Sequence, residues 1–222
     1  MELILCIETS TKSCSVALAQ NGKTIDCIEL VSDQYSHSEK LTLFIEQLLK
    51  QQQKSFSDLD AIAVSKGPGS YTGLRIGVST AKGICYAIEK PLISISTLEA
   101  MAYGMSLKFP QATYCPMLDA RRMEVYCAFY GKLTSEIEAK VLDKQSFSKE
   151  LEKQEIIFFG DGSDKFEQIV DNSKAKFVPD FFPSAAHMST LAHLAFQNKK
   201  FEDVAYFEPF YLKDFVAGPP KK

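Results

Sequence analysis

The period of apolar and polar positions changes several times along the chain, and each change marks an element. Residues 3–8, 13–20 and 23–31 alternate or cluster Val, Ile, Leu and Ala around turn residues. With the two-residue hairpin signal Asn21-Gly22 between the last two, they predict a three-stranded meander. From about Ser38 the spacing becomes three and four. Leu41, Phe44, Ile45, Leu48 and Leu49 then share one face of an amphipathic helix that runs to about Gln53. Leu59–Val64 reads as a buried strand, a helical pattern reaches about Glu89, and a strand at Leu92–Ser96 precedes a helix from about Thr97 to Ser106. Helices between strands require crossover connections and a mixed α/β sheet.

The second half restarts the same plan. Ile7-Glu8-Thr9-Ser10 aligns with Leu118-Asp119-Ala120-Arg121, Ser15–Ala19 with Tyr126–Tyr130, and Asn21-Gly22-Lys23 with Tyr130-Gly131-Lys132. An acid therefore ends the first strand of each copy. Helices are expected near 147–154, 164–171 and 184–199, with a strand at 155–159 and a turn at Gly160-Asp161-Gly162. This gives two lobes, 1–102 and 103–222, with the C-terminal helix able to pack back on the first.

The stretch from Ser65 to Gly77 joins a strand to a helix. Gly67-Pro68-Gly69 permits a sharp turn, and Ser70 or Thr72 can cap the first free amides of the helix. Backbone N–H groups at such a junction can hold an anion. Yet no Lys-Ser or Lys-Thr follows the glycines as in a P-loop, and Thr72 stands where a dinucleotide fingerprint needs its third Gly.

Gly-Pro-Gly-Ser-Tyr-Thr-Gly-Leu-Arg-Ile-Gly, residues 67–77, closely resembles the signature of the TsaB (YeaZ) family. Ile7-Glu8-Thr9-Ser10-Thr11, Tyr35-Ser36-His37-Ser38-Glu39-Lys40-Leu41, Leu118-Asp119-Ala120-Arg121 and Glu208-Pro209-Phe210-Tyr211-Leu212-Lys213 are also similar to it, so the likeness runs nearly end to end. The resemblance implies the actin-like ATPase fold, with two lobes of βββαβα type. It implies a subunit without catalysis of its own, in the machinery that transfers threonylcarbamoyl to N6 of adenosine 37 in transfer RNAs reading codons that begin with A. The implied partners are the catalytic paralogue TsaD and the ATPase TsaE. The chain alone could form a homodimer, transfer RNA would be met only through the complex, and ATP or ADP would bind only at a shared subunit face.

Composition narrows the picture further. Over 222 residues, 45% are hydrophobic, enough for a packed core, and a net charge of −3 argues against a chain that grips nucleic acid alone. The six cysteines form no Cys-x-x-Cys pair and mostly sit in apolar runs, as buried thiols of a reducing cytoplasm do. Neither a signal peptide nor a bilayer-length apolar segment is expected.

Candidate chemistry is sparse. Active members of the actin-like superfamily wrap the phosphates of ATP with both hairpins and use the strand-end acids on metal and water. Glu8, Thr9, Ser10 and Asp119 are the weak nucleotide candidates here, but Asp119-Ala120-Arg121-Arg122 lacks glycines for close phosphate approach. The bland reading makes both acids strand-end carboxylates bonded to nearby amides. His187 and His193 would stand about 240° apart around one helix, so they cannot share a metal, and His37 alone reads as a capping or solvated residue. A metallopeptidase or a small-molecule kinase are the rival functions.

The helix after the signature has two stripes. Leu74, Val78, Ala81, Cys85 and Ile88 suit docking on a sheet, whereas Gly73, Gly77, Thr80, Ile84 and Ala87 permit close approach of another helix. That approach could come from the 38–53 helix of the same chain or from a partner. In TsaB-like proteins these two helices form the subunit contact, which implies an interface of Leu41, Phe44, Ile45 and Leu48 with Gly69, Tyr71, Gly73, Leu74 and Arg75, continued by Gly77, Thr80 and Ile84. If Gly77 faces a partner, Gly77→Leu should spare stability and break assembly. If it is packed inside the chain, the same change should lower the melting temperature.

Overall fold

The computed structural model describes residues 1–32 and 37–213. Tyr35 and Ser36 of the second motif and the tail Gly218–Lys222 lie outside them. The chain opens with the expected meander: β1 (Leu3–Glu8), β2 (Ser13–Gln20) and β3 (Lys23–Val31), all antiparallel. After α1 (His37–Gln51) comes β4 (Ala61–Gly67), after α2 (Tyr71–Ile88) comes β5 (Leu92–Ser96), and both strands run parallel to β1. The sheet order is β3-β2-β1-β4-β5.

The central strands β1 and β4 are apolar from Leu3 to Ile7 and from Ala61 to Val64 because both sheet faces are covered. On β1, Leu3, Leu5 and Ile7 point into a core shared with α1 and α2, while Ile4 and Cys6 point to the opposite face. That opposite face is paved with Ala17, Ala19, Ala61 and Ala63. Such short side chains let a 3-10 turn (Ala185–Met188) and the last helix approach the sheet closely.

From α3 (Thr97–Lys108) the chain enters β6 (Thr113–Asp119), β7 (Glu124–Cys127), the two-residue β8 (Tyr130–Gly131) and β9 (Glu138–Val141). It continues through α4 (Ser148–Lys153), β10 (Ile156–Phe159), α5 (Ser163–Glu167), β11 (Ala175–Val178) and α6 (Ser189–Gln197). The second sheet runs β11-β10-β6-β7-β9, which is the first sheet's order with each strand replaced by its counterpart. The restart in sequence is thus a restart of topology, and the architecture is the actin-like fold. α3 lies between the sheets, giving Ala100 to the first and Leu98, Met101 and Met105 to the second, and so it is apolar around most of its girth. α6 packs on β1, β2 and β5 of the first sheet.

Two local expectations need correction, and two strands have no counterpart among the expected elements. The strand aligned over Tyr126–Tyr130 ends at Cys127, and Tyr130–Gly131 returns to pair with β6, so the third strand of the second meander is β9. β9 and β11 are short, half-exposed edge strands whose mixed polar sequences carry no apolar run. The last helix begins as the 3-10 turn, where the Ser184 hydroxyl accepts from the Ala186 amide, and becomes α-helical only at Ser189.

The second-lobe helices α4 and α5 span 6 and 5 residues where α1 and α2 span 15 and 18. Phenylalanines fill the space. Phe147, Phe158, Phe166 and Phe177 form a chain of ring contacts with centroids 5.0–6.1 Å apart, and Phe166 is fully buried. Phe166→Ala is expected to cost about 3–5 kcal/mol, read as a fall in the denaturant midpoint at unchanged slope.

Candidate functional site

The signature folds into a junction with the β1–β2 turn. At the end of β4, Gly67 has φ +111°, the Gly67–Pro68 peptide is cis, and Ser70 caps α2 by accepting from the Gly73 amide at 3.3 Å. The Ser70 amide donates to the Ser10 carbonyl at 2.6 Å, and the Thr9 hydroxyl donates to the Gly73 carbonyl at 2.7 Å. A methyl group on Gly69 would collide with Ser10, on Gly73 with the Thr9 carbonyl, and on Gly77 with the Thr9 hydroxyl. Three glycines at intervals of four therefore let α2 lie against the turn backbone of its own chain.

This settles the small-residue stripe. Gly73 and Gly77 are buried, and what they face is chiefly Thr9 of the turn after β1, with the ring of His37 at the start of α1 3.4 Å from a Cβ added to Gly73. Leu41, Ile45, Leu48 and Leu74 are likewise buried in the first lobe's core, and Gly69 lies on Ser10, so these seven positions of the expected interface are used inside the chain. Phe44, Tyr71, Thr80 and Ile84 are half-buried, and Arg75 is exposed. The outward line of α2 runs through Thr72, Arg75, Ser79, Gly83, Tyr86 and Ala87, all exposed, with Ile76 half-buried beside it. Neighbouring α1 adds Leu43, 55% exposed, and Tyr86 is 84% exposed. Leu43 and Tyr86 escape sequence reading because they fall off the apolar stripes. Large apolar residues out of register on a helix are the signal that could have found them.

The strand-end acids make the same local bond in both lobes. Glu8 Oε1 accepts from the Ser10 amide at 2.5 Å, and Asp119 Oδ1 accepts from the Arg121 amide at 2.6 Å. Their surroundings differ. Glu8 is fully buried, and its Oε2 and the hydroxyls of Ser10 and Ser65 have no hydrogen-bond partner among the described residues. Burial pushes the Glu8 carboxyl above its ordinary range, against the opposing pull of Ser10, so the neutral acid is favoured. Asp119 is exposed and ion-paired with Lys165 at 2.8 Å, and its amide donates to Asp161. Burial raises the Asp161 carboxyl too. Arg121 and Arg122 follow at φ +70° and +50°, making a tight turn without glycine.

The histidines are dispersed. His37 is buried rather than solvated, and its Nε2 donates to the Thr11 carbonyl at 2.7 Å, fixing the start of α1 to the same turn. His187 stacks on Phe181 with ring centroids 5.1 Å apart, and His193 pairs with Glu2. Among the described residues no group of three His, Cys, Asp or Glu side chains could hold a metal ion, and no helix is long and apolar enough to cross a membrane.

The C-terminal motif is the part of the site whose role sequence reasoning missed. The Glu202 amide donates to the Leu92 carbonyl, Lys82 Nζ donates to the carbonyls of Ala205 and Phe207, and the Phe210 amide donates to the Lys66 carbonyl at 2.7 Å. The strap then crosses Gly67, whose added Cβ would lie 2.8 Å from the Phe210 carbonyl oxygen. Tyr211 reaches Arg75, and Lys213 pairs with Glu124 of β7.

The family model for TsaD, tRNA N6-adenosine threonylcarbamoyltransferase, matches residues 31–220. The Escherichia coli tRNA threonylcarbamoyladenosine biosynthesis protein TsaB is 31% identical over 223 residues, covering 96% of each chain. A Pseudomonas aeruginosa protein with similarity to peptidase YeaZ superposes with TM-score 0.82 at 26% identity, covering 96% of this chain and all of the other. An activator of 2-hydroxyisocaproyl-CoA dehydratase from Clostridium difficile shares the fold alone, with TM-score 0.51 at 9% identity over 89% of this chain and 96% of its own.

Two pairs of measurements test this geometry. Gly77→Ala should lower stability by about 1–3 kcal/mol because the Thr9 hydroxyl must move. Gly83→Ala, whose new methyl meets nothing within 4 Å, should raise it by about 0.5–1 kcal/mol through helix propensity. For Glu8, the folded pKa lies above the unfolded one, so its contribution is full below the ordinary carboxylate range and is lost as pH rises through the folded value. Glu8→Gln should therefore raise the melting temperature relative to the parent more at about pH 8 than at about pH 5. An equal shift at both would show that Glu8 is ionised in the fold.

Proposed function

Because the chain belongs to the TsaB (YeaZ) family, we propose that it is the non-catalytic subunit of the complex that places threonylcarbamoyl on N6 of adenosine 37 in transfer RNAs reading codons that begin with A. It holds the catalytic paralogue TsaD in its working form and helps to seat the ATPase TsaE. The observation that carries this reading is the outward α1–α2 face. Apart from Arg75 its α2 line is uncharged, through Thr72, Ser79, Gly83 and Tyr86, and exposed Leu43 and Tyr86 offer apolar and aromatic area of the kind that anchors interfaces.

The signature glycines meanwhile serve internal packing, and Asp119 is engaged by Lys165, so this chain's acids have a structural occupation that needs no reaction. The complex works in the cytoplasm. Alone, the chain pairs with itself through the same face, and it meets transfer RNA only in the complex. A nucleotide would enter only where another subunit completes a site.

Gly83→Arg tests the face without disturbing the fold, since the side chain starts in open space. Its melting temperature should match or exceed the parent's, while its Kd for purified TsaD should rise at least about tenfold, because a bulky charge replaces the smallest exposed residue of a close contact. Unchanged affinity would remove α2 from the interface.

A further inference from the structure

Arg75 is held in a way that a free surface arginine is not. Its guanidinium lies over the Tyr71 ring, 4.2 Å from the centroid, and its Nε donates to the Tyr211 hydroxyl at 3.1 Å. The two tyrosine rings are themselves 5.1 Å apart, centroid to centroid. The tyrosines are far apart in sequence, and the strap that brings Tyr211 is pinned on both sides, by Phe210 to Lys66 and by Lys213 to Glu124. Stacking and the Nε bond fix the plane of the fork. The two terminal nitrogens of Arg75 have no hydrogen bond or ion pair among the described residues, and Arg75 is exposed. A fork whose rotamers are already restricted forms a bidentate contact at less entropic cost than a mobile one.

We propose that Arg75 is a pre-oriented anchor for an aspartate or glutamate carboxylate of the protein partner that docks on α2. The inference rests on the subunit reading given above. Charge in the neighbourhood favours a single protein carboxylate over a nucleic-acid backbone. The outward neighbours Thr72, Ser79 and Gly83 are uncharged. Lys82 is bound to two strap carbonyls and Lys213 to Glu124, while Glu208 adds a negative field near the guanidinium. One open fork beside an uncharged helix face matches a rim carboxylate of a facing helix. A polyanion needs several free cations in a row. The strap then has a function in recognition: Tyr211 is a positioning residue that acts through Arg75.

The test is the Kd of the full chain for purified TsaD, with melting measured on the same samples. Arg75→Ala should weaken binding about tenfold or more. Arg75→Lys should recover little of the loss, because an ammonium neither stacks flat nor forks. Tyr211→Phe, which keeps the ring and removes the hydroxyl, should weaken binding about threefold to tenfold. All three should melt within about 2 °C of the parent. Raising NaCl from about 50 to about 300 mM should weaken parent binding more than that of Arg75→Ala.

Parent binding that persists unchanged in Arg75→Ala overturns the anchor and leaves the subunit reading standing, and full rescue by lysine overturns the pre-oriented fork. Arg75→Ala that keeps TsaD but loses binding to transfer RNA or to pyrophosphate assigns the fork to phosphate and overturns the carboxylate. No complex between TsaD and the parent chain overturns both readings.

Discussion

The first lobe depends on how closely the backbone of α2 can approach the turn after β1. Thr9 donates to the Gly73 carbonyl, Ser70 donates to Ser10, and any side chain at Gly69, Gly73 or Gly77 would separate the two segments. Glycine inside a helix costs about 1 kcal/mol relative to alanine. Two internal glycines persist because they let buried polar groups of the turn find partners on α2. His37 ties α1 to the neighbouring Thr11 carbonyl, so both helices on that face of the sheet are referenced to one four-residue turn. With the inward face committed in this way, whatever α2 offers to another molecule lies on the opposite line.

The two lobes share strand order and the strand-end acid that closes its own turn two residues on, yet they reach stability by different means. The first covers its sheet with long helices and buries Glu8 where its charge is disfavoured. The second has short helices, fills the gap with interlocked phenylalanine rings, and leaves Asp119 at the surface under Lys165. A buried neutral acid and a paired exposed one are both stable states for a carboxylate.

The strap links these halves. From Leu92 to Glu124 it touches an edge strand, the helix α2, the signature loop and the second-lobe hairpin. It is held by two backbone bonds, by side-chain bonds from Lys82, Ser94 and Arg75 and by one ion pair, while Val204 and Phe207 pack on the first lobe's core.

The first lobe's elements, the strand-loop-helix junction and the repeat of the plan were legible in the sequence, because apolar periodicity records which face of each element is covered. β9 and β11 were not, since edge strands of four residues bury too little to leave a pattern. Of the site, the residue types were legible and their facing was not. Small residues announce that something comes close, but the sequence does not say from which side. Only the tertiary structure assigns Gly73 and Gly77 to Thr9 and leaves Leu43, Gly83 and Tyr86 outside. Likewise the motif Glu208–Lys213 could be read as a motif, but its meeting with Arg75, 136 residues away in sequence, exists only once the chain has folded back across α2. Local order follows from neighbours a few residues apart, whereas a site built by long-range closure is decided by which buried surfaces the whole fold brings together.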